Sequence, residues 1–150
     1  MVGGNDQTVH SVLLNKTGTD CPLGEYRTEI VSVVGSDGFE YFIACPPGSI
    51  AEEMDSLLEW LNTSPYDEII TSTLFFHEFE SIHPFRDGNG RTGRTLFHIL
   101  FQELGLKNSK LCKFEQNLLN PPSTYCTLLA YTDATGDYVP FIMYVAESLL

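Results

Sequence analysis

Positive charge is scarce in this 150-residue chain: 8 Lys and Arg stand against 20 Asp and Glu, for a net charge of −12. Such a surface repels phosphate backbones, so no nucleic-acid partner is expected, although a few well-placed arginines can still hold a small anion. No run approaches the ~18 apolar residues that a membrane-crossing helix requires, and no membrane partner is expected either. The four cysteines, Cys21, Cys45, Cys112 and Cys126, form no CxxC pair and no zinc spacing with histidine. Their even number leaves two disulfides formally open; free thiols in a reducing compartment are the expectation. The first residues lack a basic n-region and a long apolar h-region, so they do not read as a secretory leader. Internal repeats and low-complexity stretches are missing. What remains, 43% hydrophobic and 19% charged, is the composition of an ordinary globular domain long enough to bury a core unaided.

The hydrophobic pattern is mainly helical. Residues 1–24 are polar and mixed, with one apolar patch at Val12, Leu13 and Leu14, and read as a truncated helix preceding the domain proper. Residues 26–44 form the one β stretch: Ile30, Val31, Val33 and Val34, a turn at Gly35 to Gly38, then Phe39, Tyr41, Phe42 and Ile43. A lone hairpin is marginal in water, so it must pack on something or bind something. Ser49, with Glu52 three residues on, predicts a capping box that opens a helix carrying Met54, Leu57, Leu58 and Leu61. A second helix over 67–82 is apolar on more than one face, which predicts the buried central helix, its Phe75, Phe76 and Phe79 in the core. His83-Pro84 breaks it. A third runs from about Gly90 to Leu104, with Gly105 as its C′ residue. Pro121-Pro122 precedes a final pair over roughly 122–134 and 138–149.

The chemistry lies in His83-Pro84-Phe85-Arg86-Asp87-Gly88-Asn89-Gly90-Arg91-Thr92-Gly93-Arg94. Three of the eight basic residues crowd into this segment of an acidic chain. They surround two glycines at the start of a helix, where converging N–H groups favour an anion. Arg91 and Arg94 share one helix face. Cations at a helix N-terminus oppose its dipole, so stability alone does not explain them; an oligophosphate does. Asp87, the lone carboxylate, suits Mg²⁺, which takes one or two carboxylates plus substrate oxygens. His83 is the nearby group able to carry a proton near neutral pH. A base, a metal ligand, an anion nest and phosphate clamps together suit phosphoryl or nucleotidyl transfer.

Other motif readings fail on context. Gly88-x-Gly90-x-x-Gly93 matches the dinucleotide-binding spacing, but a helix and a proline loop precede it where a strand is required. No lysine completes a P-loop. His77-Glu78 is followed at the fourth position by Ser81, so the zinc motif HExxH is not met.

The segment HPFRDGNGRTGR resembles the Fic-family signature HPF-x-[DE]-GNGR-x-x-R at every specified position. The resemblance extends outward. Tyr26-Arg27-Thr28 with the hairpin and Pro46-Pro47 looks like the family's target-binding flap, Glu53 to Asn62 like its next helix, and Asp137 to Ile142 like its closing helix. It covers about residues 25–150, which it delimits as the Fic domain. The implied fold is mainly α, a helical bundle with a β-hairpin flap beside the active-site loop. The implied activity is protein adenylyltransferase (AMPylation): transfer of AMP from ATP to a Ser, Thr or Tyr hydroxyl of a target protein, with release of pyrophosphate. By that analogy His83 is the base and Asp87 holds Mg²⁺. Asn89 with the N–H groups of Gly88 and Gly90 binds the α- and β-phosphates, Arg91 the phosphate chain and Arg94 the γ-phosphate, while Phe85 anchors the loop. Flap residues Ile30, Val31, Ser32, Val33, Phe39 and Tyr41 would pair with an extended target segment, since strand addition places a hydroxyl beside the base whatever its neighbours are.

Two alternatives stay open: a Fic-fold transferase using another phosphate-containing donor, and a catalytically silent toxin–antitoxin-type binding module. Many members carry an inhibitory helix, [ST]xxxE[GN]. Here Ser36, Ser49 and Ser64 each precede a glutamate at that spacing, but none is followed by Gly or Asn. An antitoxin-like protein would supply inhibition, or it was removed at a terminus, or regulation differs; without it, constitutive activity is the expectation. Arg86 occupies the unspecified position and reads as solvated. His77 and His98 read as core or surface histidines, and His10 as outside the site. The composition fits a cytoplasmic protein and equally an effector delivered into another cell.

Overall fold

The computed structural model describes residues 6–35, 38–103, 113–117 and 122–150. Ser36, Asp37, Leu104, Gly105, Cys112 and Pro121, on which several sequence expectations rest, lie outside the described residues. Helix α1 (Asp6–Leu14) buries a single stripe, Asp6, His10 and Leu14, one residue per turn. The hairpin follows: β1 (Ser32–Val34) pairs antiparallel with β2 (Glu40–Ile43). Val33 faces Phe42 but Val34 faces Glu40, so Tyr41 is the extra residue of a bulge. Gly38 donates to the Gly35 carbonyl at 2.9 Å and closes the predicted turn.

Helix α2 (Ile50–Thr63) starts where expected but not by the expected means. Ser49 makes no side-chain capping bond. A 3₁₀ turn over Pro47–Ser49 runs directly into the helix, and the N–H of Ile50 donates to the Pro47 carbonyl. Proline at the start of that turn presets its φ and lacks an N–H, which leaves the serine hydroxyl without its usual task. Helix α3 (Glu68–Ile82) is capped by Asp67, whose carboxylate accepts from the N–H of Ile69. It is followed by α4 (Asn89–Glu103), α5 (Pro122–Thr135) and α6 (Val139–Leu149).

The absence of a polar face on α3 makes it the centre, as the sequence predicts. It packs against α2, α4, α5 and α6. Phe75 and Phe79 join Ile50, Met54, Leu57 and Leu96 in one core cluster. Phe76 joins Phe97, Phe101, Phe141 and Val145 in the other. The molecule is therefore mainly helical with one small hairpin, and β2 leans on α5. Among the described residues no helix is long and apolar enough to cross a membrane. Cys21 and Cys45 are free thiols.

Candidate active site

The predicted loop forms between the end of α3 and the start of α4. His83 caps α3 in the left-handed region, φ 52° and ψ 60°, a conformation non-glycine residues seldom adopt and one that concentrates at functional sites. Its Nδ1 lies 3.3 Å from the Glu80 carbonyl. A carbonyl only accepts, so Nδ1 carries the proton and Nε2 keeps the lone pair. Burial pulls the imidazole pKa down to about 4; the Glu80 carbonyl opposes this and the Arg27 charge adds to it. His83 is thus held neutral at physiological pH.

Phe85 is fully buried and pins the loop to the core. Asn89 braces it: its Oδ1 accepts from the Phe85 N–H at 2.8 Å and its Nδ2 donates to the Phe85 carbonyl at 2.7 Å. The resemblance assigns Asn89 to the phosphates, but here its buried amide is engaged by main chain, because two buried peptide groups of Phe85 need partners. Gly88 adopts φ +80°, and a Cβ there would lie 2.8 Å from Leu14 Cδ1. Its N–H donates to Asp87 Oδ1 at 2.7 Å, so it too has an internal partner. The first N–H groups of α4 remain without intrahelical acceptors by helix geometry.

Asp87 is exposed, and its Oδ2 sits 3.4 Å from Arg91 Nη2. An exposed i,i+4 pair is worth only ~0.3–0.5 kcal/mol, which a ligand's charge would readily replace. Arg94 approaches Glu115 at 3.8 Å. Arg86 reaches Glu29 at 3.2 Å, across a cleft of about 150 Å³ at the foot of the hairpin. Among the described residues no three metal-ligating side chains gather. A lone exposed carboxylate beside a helix N-terminus still fits Mg²⁺ carried in on phosphate oxygens, which needs one protein carboxylate.

Arg27 joins hairpin to loop. Its guanidinium donates to the carbonyls of His83 at 2.7 Å, Glu29 at 2.7 Å, Cys45 at 2.6 Å and Ile82 at 3.1 Å. Its own N–H donates to the Pro84 carbonyl at 2.9 Å. Both ends of the hairpin are thereby fixed to the residues flanking the histidine. Of the predicted flap residues, Ser32 and Val33 lie in β1 and Tyr41 in β2, while Ile30, Val31 and Phe39 flank the strands. Ile30 and Phe39 are more than half exposed, and the ring of Phe39 meets that of Tyr41 edge-on.

Glu80 is a residue that sequence reasoning missed. Its carboxyl is buried with Oε1 lacking a hydrogen-bond partner, and it fills the space where a Cβ on Gly93 would stand. Burial pushes its pKa up to about 7, against the pull of Arg94. The folded state therefore holds this proton more tightly than the unfolded chain between pH 4.5 and 7. The stability it contributes is full below pH 4.5 and is lost as pH rises through 7. Glu80→Gln should gain stability relative to the parent across that window, by roughly 3 kcal/mol at most. Denaturant melts of both proteins at pH 4.5, 6 and 8 check this; a constant difference between them would refute it.

The central helix of this mainly helical domain thus ends in a neutral histidine, followed by a glycine-containing loop that opens α4, which carries Arg91 and Arg94. The chain belongs to the Fic/DOC family, whose model matches residues 7–101. It is 34% identical over 92 residues to a probable protein adenylyltransferase of Aquifex aeolicus, covering 61% of this chain and 27% of that one. It is 31% identical over 127 residues to the protein adenylyltransferase Fic of Drosophila melanogaster, covering 83% of this chain and 23% of that one. A Fic family protein structure from Desulfovibrio desulfuricans superposes with a TM-score of 0.84 at 28% identity, over 97% of this chain and 44% of the other. The chain thus spans about a quarter of the length of these curated relatives.

Proposed function

We propose that this chain is the catalytic core of a protein adenylyltransferase, moving AMP from ATP to a hydroxyl side chain of a target protein. The observation that carries the reading is the neutral His83, with Nδ1 held by a carbonyl and Nε2 left to accept, at the mouth of an arginine-lined helix N-terminus. Nε2 takes the proton of a Ser, Thr or Tyr hydroxyl as its oxygen bonds to the α-phosphorus. The bond from that phosphorus to the bridging oxygen breaks, and pyrophosphate leaves. The N–H groups of Asn89 and Gly90 receive the charge growing on the phosphate oxygens. Arg91 and Arg94 hold the rest of the chain and so align the α-phosphate with the attacking oxygen. Mg²⁺, held by Asp87, would neutralise phosphate charge.

The hairpin presents the target. Because β2 leans on α5, β1 is the outer strand, and an extended segment pairing with it is recognised through main chain. In this reading residues 25–150 carry the reaction, and α1 packs against the loop and α4. The donor is ATP and the partner a protein bearing a hydroxyl side chain; an antitoxin-like inhibitor remains a further partner of this reading. Incubating the chain with a cell lysate and ATP, then mapping modified peptides by mass spectrometry, tests it. Adenylyl adducts on Ser, Thr or Tyr are expected. Phosphoryl adducts, or none above a no-enzyme control, would count against the reading.

A further inference from the structure

His10 lies 77 residues from Asp87 in sequence, yet it is fully buried against the loop. Its ring stacks on Phe85, centroids 3.8 Å apart and planes 12° from parallel. Both ring nitrogens are used. Nδ1 is 2.9 Å from the N–H of Gly24, which can only donate. Nε2 is 2.9 Å from the carbonyl of Asp87, which can only accept. The ring is therefore the neutral Nε2–H tautomer, oriented at both ends.

The Asp87 carbonyl shares a planar peptide with the Gly88 N–H. That N–H donates to Asp87 Oδ1 at 2.7 Å. Fixing the carbonyl thus fixes where the N–H points, and with it the carboxylate it holds. The next carbonyl, that of Gly88, accepts from the N–H of Thr92 and begins α4. One turn on from His10, Leu14 closes against Gly88. One turn back, Asp6 accepts from the Tyr26 hydroxyl at 2.9 Å, and the Tyr26 ring leans on Phe85. The buried stripe of α1 thus meets the loop directly at His10 and Leu14, and through Tyr26 from Asp6.

We propose that His10 is a positioning residue: by holding the Asp87–Gly88 peptide, it sets the Asp87 carboxylate and the start of α4 for a metal-bound phosphate chain. The proposal rests on the adenylyltransferase reading for its ligand, but not for its geometry. Glutamine can place an amide N–H near the position of Nε2, whereas alanine cannot. Three variants separate the alternatives: His10→Ala, His10→Gln, and Val145→Ala, which loosens the other core cluster.

Two readouts are needed. The first is amide exchange at Gly88 by NMR, without nucleotide. The second is ATP affinity measured calorimetrically over a Mg²⁺ series. His10→Ala should speed Gly88 exchange and raise the Mg²⁺ concentration at half effect by on the order of tenfold, the scale seen when a group orienting a metal ligand is lost. His10→Gln should recover most of both. Val145→Ala should lower the melting temperature and move neither. Unchanged Gly88 exchange in His10→Ala, or a Mg²⁺ shift equally large in Val145→Ala, would overturn the proposal. If Gly88 exchange responds as expected but no protein binds ATP, the positioning role stands and the adenylyltransferase reading falls.

Discussion

His83→Ala and His83→Asn are both expected to lose adenylyl transfer by about 10²–10⁴-fold, the range general-base catalysis supplies. ATP affinity should change little, because in the proposed reaction the imidazole meets the target hydroxyl rather than the phosphates. Asparagine is the sharper variant. It tolerates the left-handed backbone found at φ 52°, so a loss of activity cannot be ascribed to the cap of α3. The pH profile of the parent carries the same claim. An ordinary histidine would lose its base form below pH 6.5. With the pKa near 4, the base form dominates from pH 5 upward, and the acid limb of kcat/KM should lie well below 6. A limb near 6.5, or turnover retained by His83→Asn, would contradict the assignment.

The second large effect is at Arg27. Its guanidinium is almost fully buried and donates to four carbonyls. Arg27→Ala leaves them facing a cavity, at an expected cost of about 3–5 kcal/mol, as for the loss of one member of a buried charged network. Arg27→Lys keeps the charge but not the planar fork, so it should recover only a minor part. Transfer should fall further than stability alone explains, because the same bonds tie the hairpin to His83. Denaturant melts and transfer assays on both variants at a temperature where each is folded check this. If lysine restored full stability and transfer, charge rather than the fork would be responsible.

These two residues differ in how visible they are in the sequence. His83 is legible because its chemistry is local: histidine, glycines and arginines fall within one loop and the helix it opens. The central role of α3 is legible for the same reason, as an all-round apolar pattern over consecutive residues. Arg27 is visible as part of a resemblance, but its role is not, since its partners lie 2 to 56 residues away. His10 carries no local signal of the site in the sequence; its stripe with Asp6 and Leu14 is visible only once α1 is folded against the loop. Glu80 likewise hides on a helix of phenylalanines, its burial decided by the absence of a side chain on Gly93. At Ser49 and Asn89 the residue type suggests one bond and the surroundings impose another. Pro47 takes over the start of α2, and the main chain of Phe85 takes the Asn89 amide.

The central claim is that this site transfers the α-phosphorus with its nucleoside, not the γ-phosphoryl group. The most direct test incubates the chain and a lysate with ATP labelled in parallel at the α- or the γ-phosphate, for the parent and for His83→Ala. The account predicts α-label on protein, no γ-label, and loss of the signal in the variant. Incorporation of γ-label would contradict it, and so would α-label undiminished by His83→Ala.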